Sequence, residues 1–268
     1  MDAEKTVSKF YNSTGWETKA GITEDAYLFE DLRNCSQDYL RRCRLRLLEH
    51  IPPKGDYFMD MASGPIQYPE YLKYSEGYDK RYCVDLSKEA LIEAEKKIGN
   101  HGVYLHGSFF DLKIEKNKFD CIVSIHTIYH MDQEKQYDAI RKLIRITKTG
   151  APLIIIYSNP NSLTRKISKV AKSMKSLWKR KILDNKLSKG ELYFYPHPLS
   201  WWRQFEDEAE VDIVPWRTFG KEAQEKLFPD NFFGVVMFKI LFYFEKKLPK
   251  VFNNIATYPM IVLTKTSK

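Results

Sequence analysis

The sequence predicts an α/β protein, a doubly wound and mostly parallel seven-stranded sheet with helices on both faces. From residue 57 to 158, short apolar runs alternate with amphipathic stretches, and the runs are apolar on both faces. Two more strand-like runs, 210–219 and 258–264, bring the count to seven. Strands of this kind separated by helices form a sheet covered on both sides. Such sheets bind ligands in the crevice at the carboxyl ends of their strands.

The elements follow in order. Residues 57–61 (YFMDM) form the first strand and 81–85 (RYCVD) the second. A helix over 86–98 follows, with Ser87 as N-cap and Ala90, Leu91, Ala94 and Ile98 on its apolar face. Residues 103–105 make a short third strand, and 119–126 (FDCIVSIH) a fourth. The helix 133–147 carries Tyr137, Ile140, Ile144 and Ile146 inward and ends at Lys148-Thr149-Gly150, where glycine suits a left-handed residue. Residues 152–157 (PLIIIY) are the fifth strand, and 235–247 is an apolar helix or strand between the last two. One domain is expected: a helical N-terminal cap over 1–50, a ligand-binding core over 51–158, a basic and aromatic lid insertion after strand five over 159–209, and the last strands with their helix over 210–268.

Composition narrows the class. The hydrophobic fraction of 43% supports a sizeable core. No uncharged apolar run reaches the roughly 18 residues of a membrane span, and the start MDAEKTVSKF lacks the apolar stretch of a secretion signal. Cys35, Cys43, Cys83 and Cys121 show no Cys-x-x-Cys spacing, which fits buried thiols in a reducing cytoplasm. The net charge is +8, but residues 159–190 carry ten Lys/Arg against Asp184 alone, leaving −1 for the remainder. That distribution disfavours a nucleic-acid-coating surface and favours a local electrostatic feature.

The strand ends carry the candidate ligand site. After the first strand come Asp60, Ala62, Ser63, Gly64 and Pro65, small residues that let the backbone turn sharply against a ligand. Asp60 can hold a cationic amine. Asp85, after the second strand, is placed to bind ribose hydroxyls. Asp111 and Leu112, after the third, can receive an adenine amino group and cover its ring. Each acid alone has a bland reading as helix cap or loop residue; all three in order imply a ligand with ribose and adenine.

With these residues the sequence resembles the class I, Rossmann-like, S-adenosylmethionine-dependent methyltransferases, chiefly over 57–158. The family turn is acid-x-Gly-x-Gly-x-Gly; here it reads Asp60-Met61-Ala62-Ser63-Gly64-Pro65-Ile66, with two glycines replaced by Ala62 and Ile66. That departure argues against a dinucleotide pyrophosphate and is compatible with a methionine moiety. The resemblance implies S-adenosyl-L-methionine as cofactor, with S-adenosyl-L-homocysteine as product. It maps the ribose acid to Asp85 and the adenine acid to Asp111. Residues 119–130, containing Ser124 and His126, resemble the fourth-strand signature, and Lys148-Thr149-Gly150 its Lys-Pro-Gly turn. Leu86, Ser124 and His126 join the expected cofactor-binding set. Phe10-Tyr11-Asn12-Ser13-Thr14-Gly15-Trp16 is similar to a cap motif of some small-molecule members, a porphyrin carboxyl methyltransferase among them. It implies Tyr11 and Trp16 over the methionine end; the alternative is ordinary aromatic packing.

Methyl transfer needs alignment and exclusion of water, and a hydroxyl acceptor also needs a base, usually His near neutral pH. His126, at the end of the fourth strand, is the leading base, with Tyr129 and His130 on the next turn. His126 and His130 have no evident third ligand, so no metal is expected. His197, between Pro196 and Pro198 in the lid, is a second catalytic candidate, set among Tyr193, Trp201 and Trp202. Residues 165–182 read as a basic amphipathic helix, which serves either as a lid packed on the domain or as a peripheral contact with an anionic inner membrane surface.

The expected function is O-methylation of a small molecule or glycan, including a lipid-linked one, in the cytoplasm. Nucleic-acid methylation ranks lower, because strand four leads into Ser124-Ile125-His126-Thr127 and not an Asn-Pro-Pro-Tyr-type motif. A non-catalytic S-adenosylmethionine-binding module stays open, and a NAD-dependent oxidoreductase lacks its phosphate-binding glycines.

Overall fold

The computed structural model describes residues 3–12, 16, 18–19, 22–168 and 193–267. Seven strands form one sheet: β1 (Gly55–Met61), β2 (Tyr78–Asp85), β3 (Gly102–His106), β4 (Cys121–Ile125), β5 (Pro152–Ile156), β6 (Ala209–Arg217) and β7 (Tyr258–Lys265). Their spatial order is β3-β2-β1-β4-β5-β7-β6. The pairs among β1 to β5 are parallel, whereas β7 runs antiparallel to both β5 and β6. The carboxyl ends of β1 to β6 and the start of β7 therefore share one edge. The strand order reverses between β1 and β4, where a crevice opens.

The central parallel strands β4 and β5 are buried on both faces, as is the carboxyl half of β1, whereas the edge strand β3 is only partly covered. Met59, Ile122 and Leu153 pack on one side with Ala139, Ile140, Leu143 and Ile144 of α5 (Gln133–Ile146), and with Trp202 and Phe205. The neighbouring Phe58, Val123 and Ile154 pack on the other with Tyr39, Leu40 and Cys43 of α3 (Gln37–Leu45) and Phe238 of α6 (Phe232–Lys247). Helix α4 (Lys88–Ile98) begins where Ser87 accepts the Ala90 N–H, the cap its sequence predicts. All four cysteines are buried and unpaired. Among the described residues, no helix is long and apolar enough to cross a membrane.

Several expectations are refined. The fourth strand is shorter than 119–126: Phe119 makes a lone bridge to Thr147, and His126 leaves the strand with a left-handed φ of 58°. The apolar stretch 235–247 is helical, extended back to Phe232 by Asn231, whose side chain accepts the Gly234 N–H. The cap holds α1 (Ala3–Phe10), α2 (Glu24–Phe29) and α3, plus a small antiparallel ribbon, Thr18–Lys19 with Ile22–Thr23, that its helical pattern did not predict. Residues 163–168 are helical, while the basic helix expected over 165–182 lies outside the described residues from 169 onward.

Candidate active site

A cavity of about 330 Å³ opens at the carboxyl edge of the sheet, within the size range of small-ligand pockets. Each element contributes its end: Ala62, Ser63 and Gly64 after β1, Asp85 of β2, His126 after β4, Ser158 after β5, Arg217 of β6, and Tyr258 of β7. The cap closes it with Tyr11, Trp16, Asp25 and Glu30.

The turn after β1 is left-handed at every second residue, and one of those three residues is glycine. Ala62, Gly64 and Ile66 all have left-handed φ, at 59°, 55° and 50°. For a non-glycine residue that conformation costs about 1–2 kcal/mol. Glycine persists where space demands it, since a Cβ on Gly64 would lie 2.8 Å from the Trp16 ring. Asp85 holds the turn, its two carboxylate oxygens accepting the Gly64 and Ser87 N–H groups at 2.8 Å each. Burial pushes its carboxyl up to about 6, against the opposing pull of those two donors. Asp60 is buried and ion-paired with Arg81, whose Nη1 also donates to the Tyr71 carbonyl at 2.6 Å.

In the cap, Tyr11 stacks on Trp16 with ring centroids 4.8 Å apart, and its hydroxyl donates to Asp25 at 3.3 Å. Burial raises the Asp25 carboxyl to about 6. Trp16 Nε1 is buried with no hydrogen-bond partner among the described residues.

Beyond the turn, His126 is the strained residue of the site, in the left-handed region that His tolerates better than most. Its Nδ1 lies 2.8 Å from the Tyr129 hydroxyl. Its ring sits against Trp216 and Tyr258, with centroids 5.1 and 4.9 Å away. Burial, then the nearby Arg217 charge, hold its pKa well below the usual histidine range, so it is neutral at pH 7. His130 also lines the cavity, but its Nδ1 donates to the Tyr193 carbonyl at 2.7 Å, and burial lowers its pKa to about 4.

The expected site residues are not all brought together. Tyr11, Trp16, Asp60, Ala62, Ser63, Gly64, Asp85, Leu86, His126 and Tyr129 line the cavity. Asp111 stands on an exposed loop, Leu112 packs against the core, and Ser124 is buried with its hydroxyl toward the Met61 sulfur. His197 lies off the lining, flat on Trp201 at 4.4 Å, with its backbone N–H donating to Tyr157 Oη. The residues that sequence reasoning missed are Asp25, Glu30, Arg217 and Tyr258. Arg217 had one signal, a cation closing the apolar run VDIVPWR.

Residues 59–155 match the family model described as a methyltransferase domain. That segment is about a third of the chain and runs from β1 to β5. A comparison with curated sequences gives no match. Among solved structures, the chain is similar to magnesium protoporphyrin IX methyltransferase from Synechocystis PCC 6803 with bound SAM, at 12% identity and TM-score 0.57, covering 99% of this chain and 98% of that one. It is equally similar to geranyl diphosphate C-methyltransferase from Streptomyces coelicolor with S-adenosyl-L-homocysteine, at 12% identity and TM-score 0.56, with the same coverage. A SAM-dependent methyltransferase from Archaeoglobus fulgidus gives 13% identity and TM-score 0.51 over 86% of this chain and 95% of that chain. At these identities the likeness is one of fold, a doubly wound and mostly parallel seven-stranded sheet. The first two of these structures hold the cofactor expected from the sequence, as SAM or its demethylated product.

Proposed function

We propose that this chain is an S-adenosyl-L-methionine-dependent methyltransferase that O-methylates a small molecule or glycan, with His126 as the base. The observation that carries this reading is the joining of the glycine-position turn, Asp85 and His126 in one cavity within the matched methyltransferase domain.

The residues fit the cofactor. The left-handed turn and the space kept by Gly64 beneath Trp16 form a cradle that an added Cβ would fill. Asp85 faces it as an acceptor for ribose hydroxyls, and the unpartnered Trp16 Nε1 awaits a polar group. Bound there, the cofactor would supply an electrophilic methyl group on a sulfonium.

The chain's own work is alignment and proton removal. In the tautomer that donates Nδ1–H to the Tyr129 oxygen, His126 Nε2 is an acceptor, and it has no hydrogen bond of its own among the described residues. Nε2 would take the acceptor's hydroxyl proton as the new C–O bond forms. Tyr129 fixes the ring, and Tyr11 and Trp16 exclude water. A lipid-linked acceptor would suit a cytoplasmic protein held at an inner membrane surface by residues 165–182.

The test is transfer of a radiolabelled methyl group from S-adenosylmethionine to the small-molecule and glycolipid fractions of a cell extract. An O-methylated product is expected, and His126→Gln should slow its formation by about 10²–10⁴-fold while leaving S-adenosylhomocysteine affinity unchanged. Label confined to nucleic acid, or an unaffected His126→Gln rate, overturns the reading.

A further inference from the structure

We infer that the methyl acceptor carries an oxyanion, a carboxylate or a phosphate, and that Arg217 is the residue that holds it. This inference rests on the methyltransferase reading above and names the substrate class for the same cavity.

Arg217 is 2% exposed, yet it lines the cavity. Among the described residues its Nε and Nη1 have no hydrogen-bond partner. A buried guanidinium with unmet donors is costly, and such groups are ordinarily satisfied by a carboxylate or phosphate. Its one ion pair among the described residues, from Nη1 to Glu30 Oε1, is 3.6 Å long, too long for a hydrogen bond. Glu30 is already engaged through Oε2 by Arg44, which also faces Glu70 at 3.5 Å. Asp25, Asp60, Asp85 and Arg165 are the other charged residues lining the cavity; Asp60 is paired with Arg81, and Arg165 spends Nη1 and Nη2 on the Asn159 carbonyl and Ser158 hydroxyl.

The placement is built. Between Pro215 and Arg217 the register of β6 against β7 shifts, a bulge of the kind that re-aims a side chain beside a site. Both flanks of Arg217 are clamped. Arg46 Nη1 donates to the Pro215 and Trp216 carbonyls at 2.7 and 2.9 Å, and Glu245 Oε1 accepts the Thr218 N–H and hydroxyl at 3.1 and 2.6 Å. The guanidinium lies over the Tyr258 ring at 4.6 Å, and His126 sits against the same ring at 4.9 Å. In the sheet, β7, β5, β4 and β1 separate β6 from the Asp85 strand, so Arg217 belongs to the His126 side of the cavity. An anion seated there would also offset the field that Arg217 exerts on His126.

The test is calorimetric titration with inorganic phosphate and, separately, acetate, on the protein both free and saturated with S-adenosylhomocysteine. Saturable binding of at least one anion is expected, weakened at least about tenfold by Arg217→Gln, with S-adenosylhomocysteine affinity unchanged. The anion bound more tightly identifies the group the acceptor carries. Absence of anion binding by the unmodified protein, or undiminished binding by Arg217→Gln, overturns the inference. So does loss of S-adenosylhomocysteine affinity in Arg217→Gln, which would place Arg217 on the cofactor's carboxylate. Should that variant not fold, the His126 imidazole resonances of the unmodified protein decide: saturating anion should raise the His126 pKa, and an unchanged titration overturns the inference. Failure of the unmodified protein to bind S-adenosylhomocysteine strikes the methyltransferase reading instead, because the anion titration of the free protein is read independently.

Discussion

Ala62 shows how much a single backbone angle fixes. It sits at φ 59°, where alanine is strained, and it holds the same left-handed conformation that Gly64 adopts two residues on. Ala62→Gly should therefore stabilise the protein by about 0.5–1 kcal/mol, the relief of left-handed strain less the added freedom of the unfolded chain, read as a higher thermal midpoint. A lower midpoint would show that the turn does not carry this strain. Asp85 gives a pH dependence. Its carboxyl, raised from the usual carboxylate range to about 6, must be ionised to accept ribose hydroxyls. S-adenosylhomocysteine affinity should then be full above pH 6 and fall towards tenfold per unit below it. Asp85→Asn should flatten the part of that profile owed to this residue. Asp85 and the small-residue turn were legible in the sequence because chain-local spacing places them at strand ends. Arg217, Glu30 and Asp25 were not, because a bulge and a cap distant in sequence bring them to the cavity. Asp111 shows the converse: its spacing after β3 is regular, yet it stands on an exposed loop.

At the scale of elements, the strands were legible because burial on both faces demands continuous apolar runs, as in 152–157. The two-residue ribbon of the cap has no such run and left no pattern. The bulge in β6 was equally silent, since pairing with β7 decides it. What holds that bulge is the buried network of Arg46, Glu245, Tyr39 and Thr218, which joins α3, α6 and β6. Removing one partner strands a buried charge. Glu245→Ala should cost about 3–5 kcal/mol in urea unfolding, far more than the loss of an exposed ion pair such as Lys246–Glu49. A cost below about 1 kcal/mol would show that the network does not fix β6.

For the whole molecule, charge and fold divide the labour. The excess positive charge lies in residues 159–190, while the sheet edge supplies the cavity. If residues 165–182 meet an anionic surface, replacing Lys166, Lys169, Lys172 and Lys175 with Gln should abolish cosedimentation with anionic vesicles, and unchanged cosedimentation would discard that contact. A sulfonium cofactor, and not a dinucleotide, is the ligand expected at the edge of this sheet. Calorimetry of the unmodified protein should show saturable binding of S-adenosylhomocysteine and none of NADH; binding of NADH without S-adenosylhomocysteine would overturn that expectation.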